Sequence, residues 1–297
     1  MSVAGTLSQP RGMTDVVRDY VSLLKLRIVA LLDATAIGVM LPASHGHPRM
    51  AAVVAVLIGG TLAAGGAHAI NCWFDRDIDA AMSRTRRRPL PGGRIPPWHA
   101  LALGVALNAI AFAVLAAGAN LLAAALALAG TVIYVFVYTI WLKRSTPQNI
   151  VIGGAAGAIP PLVGWAAATG SLDLTALSLF GVIFLWTPPH FWALAQVLKT
   201  DYAQANIPML PVVAGERSVR IQSVIYAVLT LAVSLVPFFT GSAGRVYLAG
   251  AIVLGVGLVT IATLDLEGGH WTRRLFRYSL VYVALLFAVF AVSPFIP

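Results

Sequence analysis

Charge is what this sequence lacks most. Lysine, arginine, aspartate and glutamate together supply 10% of its 297 residues, against about 25% in an ordinary soluble domain. Hydrophobic residues supply 59% and the mean hydropathy is +0.85. A water-soluble core of this length has no place to hide so much apolar surface. Acids are scarcer still, 11 against 20 bases. Cys72 is the only cysteine, which excludes an internal disulfide and any metal site built from cysteine pairs, and leaves the redox compartment undetermined. Period-two alternation is missing from the apolar runs, where Ala, Leu and Gly dominate. That excludes a membrane barrel in favour of helices.

What is present is a series of apolar runs of the length that a bilayer-spanning helix needs, about 20 residues. Nine are found, at 27–44, 51–71, 98–117, 120–141, 149–168, 174–197, 221–240, 245–264 and 276–296. The first follows a charged segment, lacks a cleavage site and is followed by further spans, so it does not read as a signal peptide. The absence of a transit peptide reads as bacterial. Residues 1–14 read as disordered. In DVVRDYVSLLKLR, 15–27, apolar residues cluster at 16, 17, 20, 21, 23 and 24, which predicts an interfacial helix leading into the first span. The expected organisation is a cytoplasmic tail with an interfacial helix over 1–26 and one nine-helix transmembrane domain over 27–297, all-α and polytopic.

Lysine and arginine set the expected orientation. With the N-terminus in the cytoplasm and nine alternating spans, 18 of the 20 basic residues fall inside, and only Arg49 and Arg245 fall outside. The positive-inside rule therefore predicts N-in, C-out. A basic inner surface suits anionic lipid heads. Nucleic acid is excluded as a partner, because the bases are divided among membrane loops.

Topology does not explain the acids. The stretch NCWFDRDIDAAMSRTRRRPLPGGRIP, 71–96, holds three aspartates and six arginines between two apolar runs. Asn71, Asp75 and Asp79 are spaced four and four. On a helix that continues through them they share one face, about 6 Å apart along the axis. Oxygen ligands so spaced suit Mg²⁺, which takes one or two carboxylates and completes its shell with water and substrate phosphate. Asp77 points elsewhere and is expected to pair with a neighbouring arginine. Arg84, Arg86, Arg87, Arg88 and Arg94 follow, and guanidinium groups grip phosphate oxygens in pairs. Metal-binding carboxylates beside arginines make a diphosphate site; the alternative is a charged loop that neutralises itself. A second acid should lie on the same membrane face. LKTDYAQANIPMLPVV, 198–213, supplies Lys199, Asp201 and Tyr202 after the sixth span, as Asp75 and Asp79 follow the second. The four-helix offset hints at a weak internal repeat.

Four stretches together resemble the UbiA-type intramembrane prenyltransferases, and within them the haem-farnesylating branch: DRDIDAAMSRTRRRPLPGGRI at 75–95, YTIWLKRSTPQNIVIGGAAGAIPPLVGW at 138–165, WTPPHFWALA at 186–195 and DYAQANIPMLPVV at 201–213. The resemblance covers most of the chain. It implies nine transmembrane helices around a central cavity in the plasma (inner) membrane, with Mg²⁺ and an isoprenoid diphosphate at the cytoplasmic mouth. By that resemblance Asn71, Asp75, Asp79 and Asp201 hold the metal. Arg84, Arg88, Lys143, Arg144 and Tyr202 bind diphosphate. In the wider family the second motif is Asp-x3-Asp, and here Ala205 stands in the second acid's place. The branch usually shows Asp-Asp-Tyr, where this chain has Thr200-Asp201-Tyr202. Lys199 is a candidate to stand in by binding phosphate directly.

The implied reaction joins the farnesyl group of farnesyl diphosphate to a vinyl group of haem b with addition of water, giving haem o. The implied partners are the lipid bilayer and, in the same biosynthesis, haem A synthase or oxidase-assembly factors. Haem needs a seat, and ionisable residues inside membranes are usually functional. His190 in WTPPHFW and His68, seven residues before Asp75, are candidate axial ligands, with His190 favoured by its motif; a hydrogen-bonded structural role is the alternative for both. Trp186, Phe191 and Trp192 either stack on porphyrin or merely pack. His45, His47, His99 and His270 read as solvated. GGAAGAIPPLVGW, 153–165, serves either close helix packing or cavity lining. Asp33, inside the first span, is expected to find a polar partner. Two other functions stay open: prenylation of an aromatic quinone precursor, and transport. Against transport, the ionisable residues gather at the ends of the spans, whereas permeases carry charge at mid-depth.

Overall fold

A computed structural model of the protein describes residues 12–296. Every regular element among them is helical. Nine helices are long and apolar enough to cross a membrane. In chain order these spans are Leu26–Ala43, Met50–Phe74, Pro97–Gly118, Leu121–Ser145, Asn149–Thr169, Leu174–Val197, Gly215–Phe239, Arg245–Glu267 and His270–Phe295. Large apolar side chains such as Leu31, Val105, Phe136 and Val253 face outward, as a lipid-facing surface requires.

Most boundaries agree with the apolar runs to within a few residues. The seventh and ninth spans depart most, starting six residues earlier than hydropathy indicates, at Gly215 and His270. Hydropathy ends where charge begins, whereas the backbone continues to satisfy its hydrogen bonds as helix into water. The expected disorder over 1–14 fails at its end, because an amphipathic helix begins at Met13; residues 1–11 lie outside those described. That helix stops at Leu23, short of the expected Arg27. Lys25 takes left-handed φ of 52°, and the first span starts immediately after it.

Local chemistry sets several starts and stops. Asn120 and Asp173 cap the fourth and sixth spans by accepting from the amides of Ala123 and Ala176, each at 2.9 Å. Gly170 closes the fifth at φ 75°, its N–H donating to the Ala166 carbonyl. The fourth span is not uniform: it is α-helical over Leu121–Val132, a π-helix over Ile133–Leu142, and α-helical again over Lys143–Ser145.

Glycine sets the closest approaches. The second and third spans meet at Gly66 and Gly104, where a Cβ on Gly104 would lie 2.7 Å from the Gly66 carbonyl oxygen. The first and fifth meet where Gly164 faces the Ala36 backbone. The main apolar cluster runs from Val39 and Val56 through Leu162 and Leu179 to the ninth-span stripe Leu275, Tyr282, Leu286 and Phe290. A separate cluster ties Ile78 and Met82, after the second span, to Tyr202, Ile207, Met209 and Leu210, after the sixth. The two acid-bearing connections are thus packed together from beneath.

Gly164→Val should lower stability by about 1–3 kcal/mol, the usual cost of overpacking, because its Cβ would strike the Ala36 carbonyl. Thermal unfolding in detergent measures it; an unchanged midpoint would mean that the two helices part freely.

Candidate active site

The second span leaves helical geometry at Asp75 (φ −84°, ψ 8°), and a short helix, Arg76–Ala81, resumes. The break preserves the four-residue register: the Asp75 amide donates to the Asn71 carbonyl at 2.9 Å, and the Asp79 amide to the Asp75 carbonyl at 2.8 Å. Asn71, Asp75 and Asp79 therefore share one face, 4%, 2% and 4% exposed.

Carboxylates so buried must be paired, and cations converge on them from three directions. Lys143, at the end of the π-helical stretch, donates to Asp75 Oδ2. Arg88 Nη1 donates to both Asp79 oxygens, at 2.9 and 2.8 Å. Lys25 Nζ donates to Asn71 Oδ1 at 3.1 Å, and burial lowers its pKa. Asn71 Nδ2 donates to Asp75 Oδ2 at 2.7 Å and to Thr139 Oγ1 at 3.1 Å. Thr139 in turn donates to the Tyr134 carbonyl, five residues back across the wide π turn. Among the described residues, Asp75 Oδ1 is buried without a hydrogen-bond partner. Three cations over two carboxylates leave a surplus of positive charge, the electrostatic signature of an anion site.

The other predicted residues divide. Asp77 turns outward and pairs with Arg144, two contacts of 2.8 Å that hold its pKa down to about 2. An arginine partner is as expected, but it is not a neighbouring one: Arg144 comes from the end of the fourth span, 67 residues on. Arg144 Nη2 also lies 3.8 Å from Asp75. Arg84 is exposed. Ser83 donates to both Asp201 oxygens at 3.1 Å, joining the two acid-bearing connections. Lys199, the candidate to bind phosphate directly, lies 3.7 Å from Glu216. Tyr202 is buried near Phe191, which pushes its phenol up to about 12. Among the described residues no three His, Cys, Asp or Glu gather as a metal cluster. The donor set at 71–79 is an amide and two carboxylates, one with a free buried oxygen. It fits Mg²⁺, which needs few protein ligands when phosphate supplies the rest.

An apolar cavity of about 330 Å³ is lined by the first, second, fourth, fifth and sixth spans. Tyr138, Ile150 and Phe191 line it, as do His68 and Tyr134 further in. His68 Nδ1 lies 3.1 Å from the Tyr134 hydroxyl. WTPPHFW divides between two faces of its helix. Thr187 and Phe191 line the cavity. Trp186 and His190 instead turn to the ninth span: His190 is sandwiched between Trp186 and Phe276, at 4.3 and 5.0 Å, with Nδ1 2.8 Å from Ser279 Oγ. Trp186 Nε1 donates to the Ser279 carbonyl at 2.8 Å. Trp192 is buried against Tyr226. His99 is not merely solvated, since it hydrogen-bonds Tyr20. The glycine-proline stretch serves both ends considered for it: Gly153, Gly154, Gly157 and Pro160 line the cavity, while Gly164 packs. Sequence reasoning missed Lys25, Thr139, Ser83 and Tyr134. Ser83 and Thr139 lie inside the quoted stretches 75–95 and 138–165 but carry no charge to single them out, and Lys25 and Tyr134 lie outside them; the fold brings all four in.

The UbiA prenyltransferase family model matches residues 32–281. A protein named protoheme IX farnesyltransferase from Roseiflexus sp. (strain RS-1) is 52% identical over 294 residues, covering 95% of this chain and 55% of that one. Proteins of the same name from Symbiobacterium thermophilum and Gloeobacter violaceus are 51% and 50% identical, covering 92% and 96% of this chain and 92% and 94% of theirs. The chain thus spans about half the length of the Roseiflexus relative, 55%, and nearly all of the other two. Among solved structures, one of a digeranylgeranylglyceryl phosphate synthase superimposes with TM-score 0.80 at 17% identity, covering 94% of this chain and 99% of that one. A UbiA homolog from Archaeoglobus fulgidus bound to DMAPP and Mg²⁺ gives TM-score 0.67 at 18% identity, covering 92% and 99%. At such identities the two structures speak for the fold alone.

Asp77 ionises more readily folded than unfolded, its pKa falling from 3.8 to about 2. Its ion pair therefore stabilises fully above about pH 4, and the effect is lost as pH falls through about 2. Asp77→Asn should be less stable than the parent at neutral pH, by under about 1 kcal/mol for so exposed a pair, and the gap should close in acid. Unfolding midpoints across that range test it; a gap that does not narrow would assign the stabilisation elsewhere.

Proposed function

The chain belongs to the UbiA prenyltransferase family, and from that premise we propose that it transfers the farnesyl group of farnesyl diphosphate to a vinyl group of haem b, with addition of water, to give haem o and diphosphate. The observation that carries this reading is the buried row Asn71–Asp75–Asp79 under Lys25, Arg88 and Lys143, together with the apolar cavity beside it. Half-identity to relatives named protoheme IX farnesyltransferase points to the acceptor.

Asn71, Asp75, Asp79 and Asp201 are the residues that would hold Mg²⁺. When bound, the metal supplies Lewis-acid neutralisation of the leaving diphosphate. Lys143, Arg88 and Lys25 receive the charge that develops on that group as its bond to the allylic carbon breaks. Arg144, Arg84, Lys199 and Tyr202 remain second-rank phosphate contacts. Burial lowers the pKa of Lys25, and a bound polyanion would hold its proton. The apolar cavity takes the isoprenoid tail and keeps water from the cation. The farnesyl carbon then bonds to the terminal vinyl carbon of haem, and a water oxygen bonds to the porphyrin-side carbon and releases a proton.

The cavity lining favours His68 over His190 as the ligand to haem iron: Tyr134 occupies its Nδ1 side and leaves Nε2 for another partner. His190 and Trp186 are better read as a hydrogen-bonded brace between the sixth and ninth spans. An N-in, C-out orientation in the plasma membrane, with the site at the cytoplasmic face, is supported by the distribution of 18 of 20 bases. Haem A synthase or oxidase-assembly factors would consume or accompany the product.

Purified protein in liposomes, given haem b, farnesyl diphosphate and Mg²⁺, should yield haem o by mass spectrometry, and EDTA should abolish it. Prenylation of hydroxybenzoate or a naphthoate in place of haem would keep the donor site and replace the acceptor. Asp75→Ala and Asp79→Ala should each cut turnover by at least about a hundredfold with the fold retained by circular dichroism; wild-type rates in either would remove the metal assignment. His68→Ala should alter the absorption spectrum of bound haem and His190→Ala should not; the opposite pattern would restore His190.

A further inference from the structure

Asp33 is an acid that takes no part in the site described above. It lies within the first span, 6% exposed, and lines the apolar cavity. Thr61 on the second span donates to its Oδ2 at 2.6 Å, as an acid in a membrane helix requires. Thr61 is the one hydrogen-bond donor to this carboxyl among the described residues. Glycine at 60 makes the room: a Cβ there would lie 2.5 Å from Asp33 Oδ1. The surrounding wall is apolar or small, with Ala36, Val56, Ala63, Ala127 and Val163. A carboxyl has thus been fitted into a largely apolar chamber, whose other polar lining is Thr131, Thr187, His68, Tyr134 and Tyr138.

Its depth gives it a meaning. Thr61 precedes Asp75 by fourteen residues of one helix, about 21 Å at 1.5 Å per residue. An extended isoprene unit is four bonds of about 1.5 Å folded into a zigzag, or about 5 Å. Three units with a diphosphate head of similar length fill about 20 Å, so that a C15 tail anchored at the aspartates ends where the carboxyl begins. The chamber continues past it. Ala36 lies three residues further along the first span, and Val56 five further along the second, about 5–8 Å. That is room for one more unit. A longer tail could enter it only by pressing hydrocarbon against the carboxyl and stripping it of polar surroundings, which is unfavourable.

We propose that Asp33, seated by Gly60 and held by Thr61, is the stop that sets the length of the isoprenoid donor at three units. This rests on the reading of the chain as a prenyltransferase. It does not depend on the acceptor.

The test is displacement of labelled farnesyl diphosphate from the Mg²⁺-loaded protein in detergent by geranyl, farnesyl and geranylgeranyl diphosphate, with no acceptor present. In the parent, farnesyl diphosphate should compete best. Asp33→Ala should raise the competitiveness of the C20 donor relative to C15 by about tenfold, the scale on which an apolar pocket discriminates hydrocarbon length. Asp33→Asn, isosteric and still polar, should keep the parental order. Gly60→Ala, which pushes the carboxyl into the lumen, should shift preference toward C10 and serves even if Asp33→Ala does not fold. Parental length preference in folded Asp33→Ala, or in folded Gly60→Ala if the former is lost, overturns the stop alone. A parent that binds none of the three donors overturns the prenyltransferase reading and the stop with it.

Discussion

Two carboxylates cannot stay buried at the end of a membrane helix unless cations come to them, and that requirement gathers four stretches of this chain at one point. Asp75 and Asp79 bring in the end of the fourth span through Lys143 and the following loop through Arg88. Asn71, bonded to Asp75, brings in the start of the first span through Lys25. Each partner arrives at a cost in local regularity. Lys25 holds a left-handed backbone, worth about 1–2 kcal/mol of strain for a residue with a side chain. The fourth span widens into a π-helix just where Tyr134, Tyr138, Thr139 and Lys143 are presented, and such segments are frequent at functional sites.

The fifth contributor, the connection after the sixth span, is held differently. Ser83 reaches Asp201 through an exposed hydrogen-bonded pair, which alone is weak. Beneath it Ile78 and Met82 pack with Tyr202, Ile207 and Met209. Oil beneath and polar contact above is the arrangement that lets a charged surface keep its shape while its ligands change.

Much of this was legible in the sequence because it is local. Hydropathy finds the nine spans, and a four-residue repeat survives a one-residue break in the helix because the i to i−4 hydrogen bonds bridge it. What was not legible depends on which way a helix is turned. Nothing in WTPPHFW says that Phe191 faces the cavity while its neighbour His190 faces the ninth span; that follows from the sixth span's rotation, set by partners 89 residues away. Lys25 looked like an ordinary positive-inside residue for the same reason: its partner Asn71 is 46 residues on. Arg144 gives a third case: the sequence does not say that it pairs with Asp77, the acid facing away from the row and 67 residues distant.

The second span has a further consequence through its length. At 25 residues it is about 37 Å long, and the first span, at 18 residues, is about 27 Å. The hydrocarbon layer is about 30 Å thick. The longer helix therefore exceeds that layer by about one turn, and in the orientation proposed above the surplus would carry Asn71 toward the lipid headgroups. An amphiphile with an ionic head and an oily tail can then meet the protein without changing phase, its head never drawn into oil and its tail never wetted. On the function proposed above, the bilayer would be the reservoir and the aligning field for such a molecule, which would reach the protein already oriented.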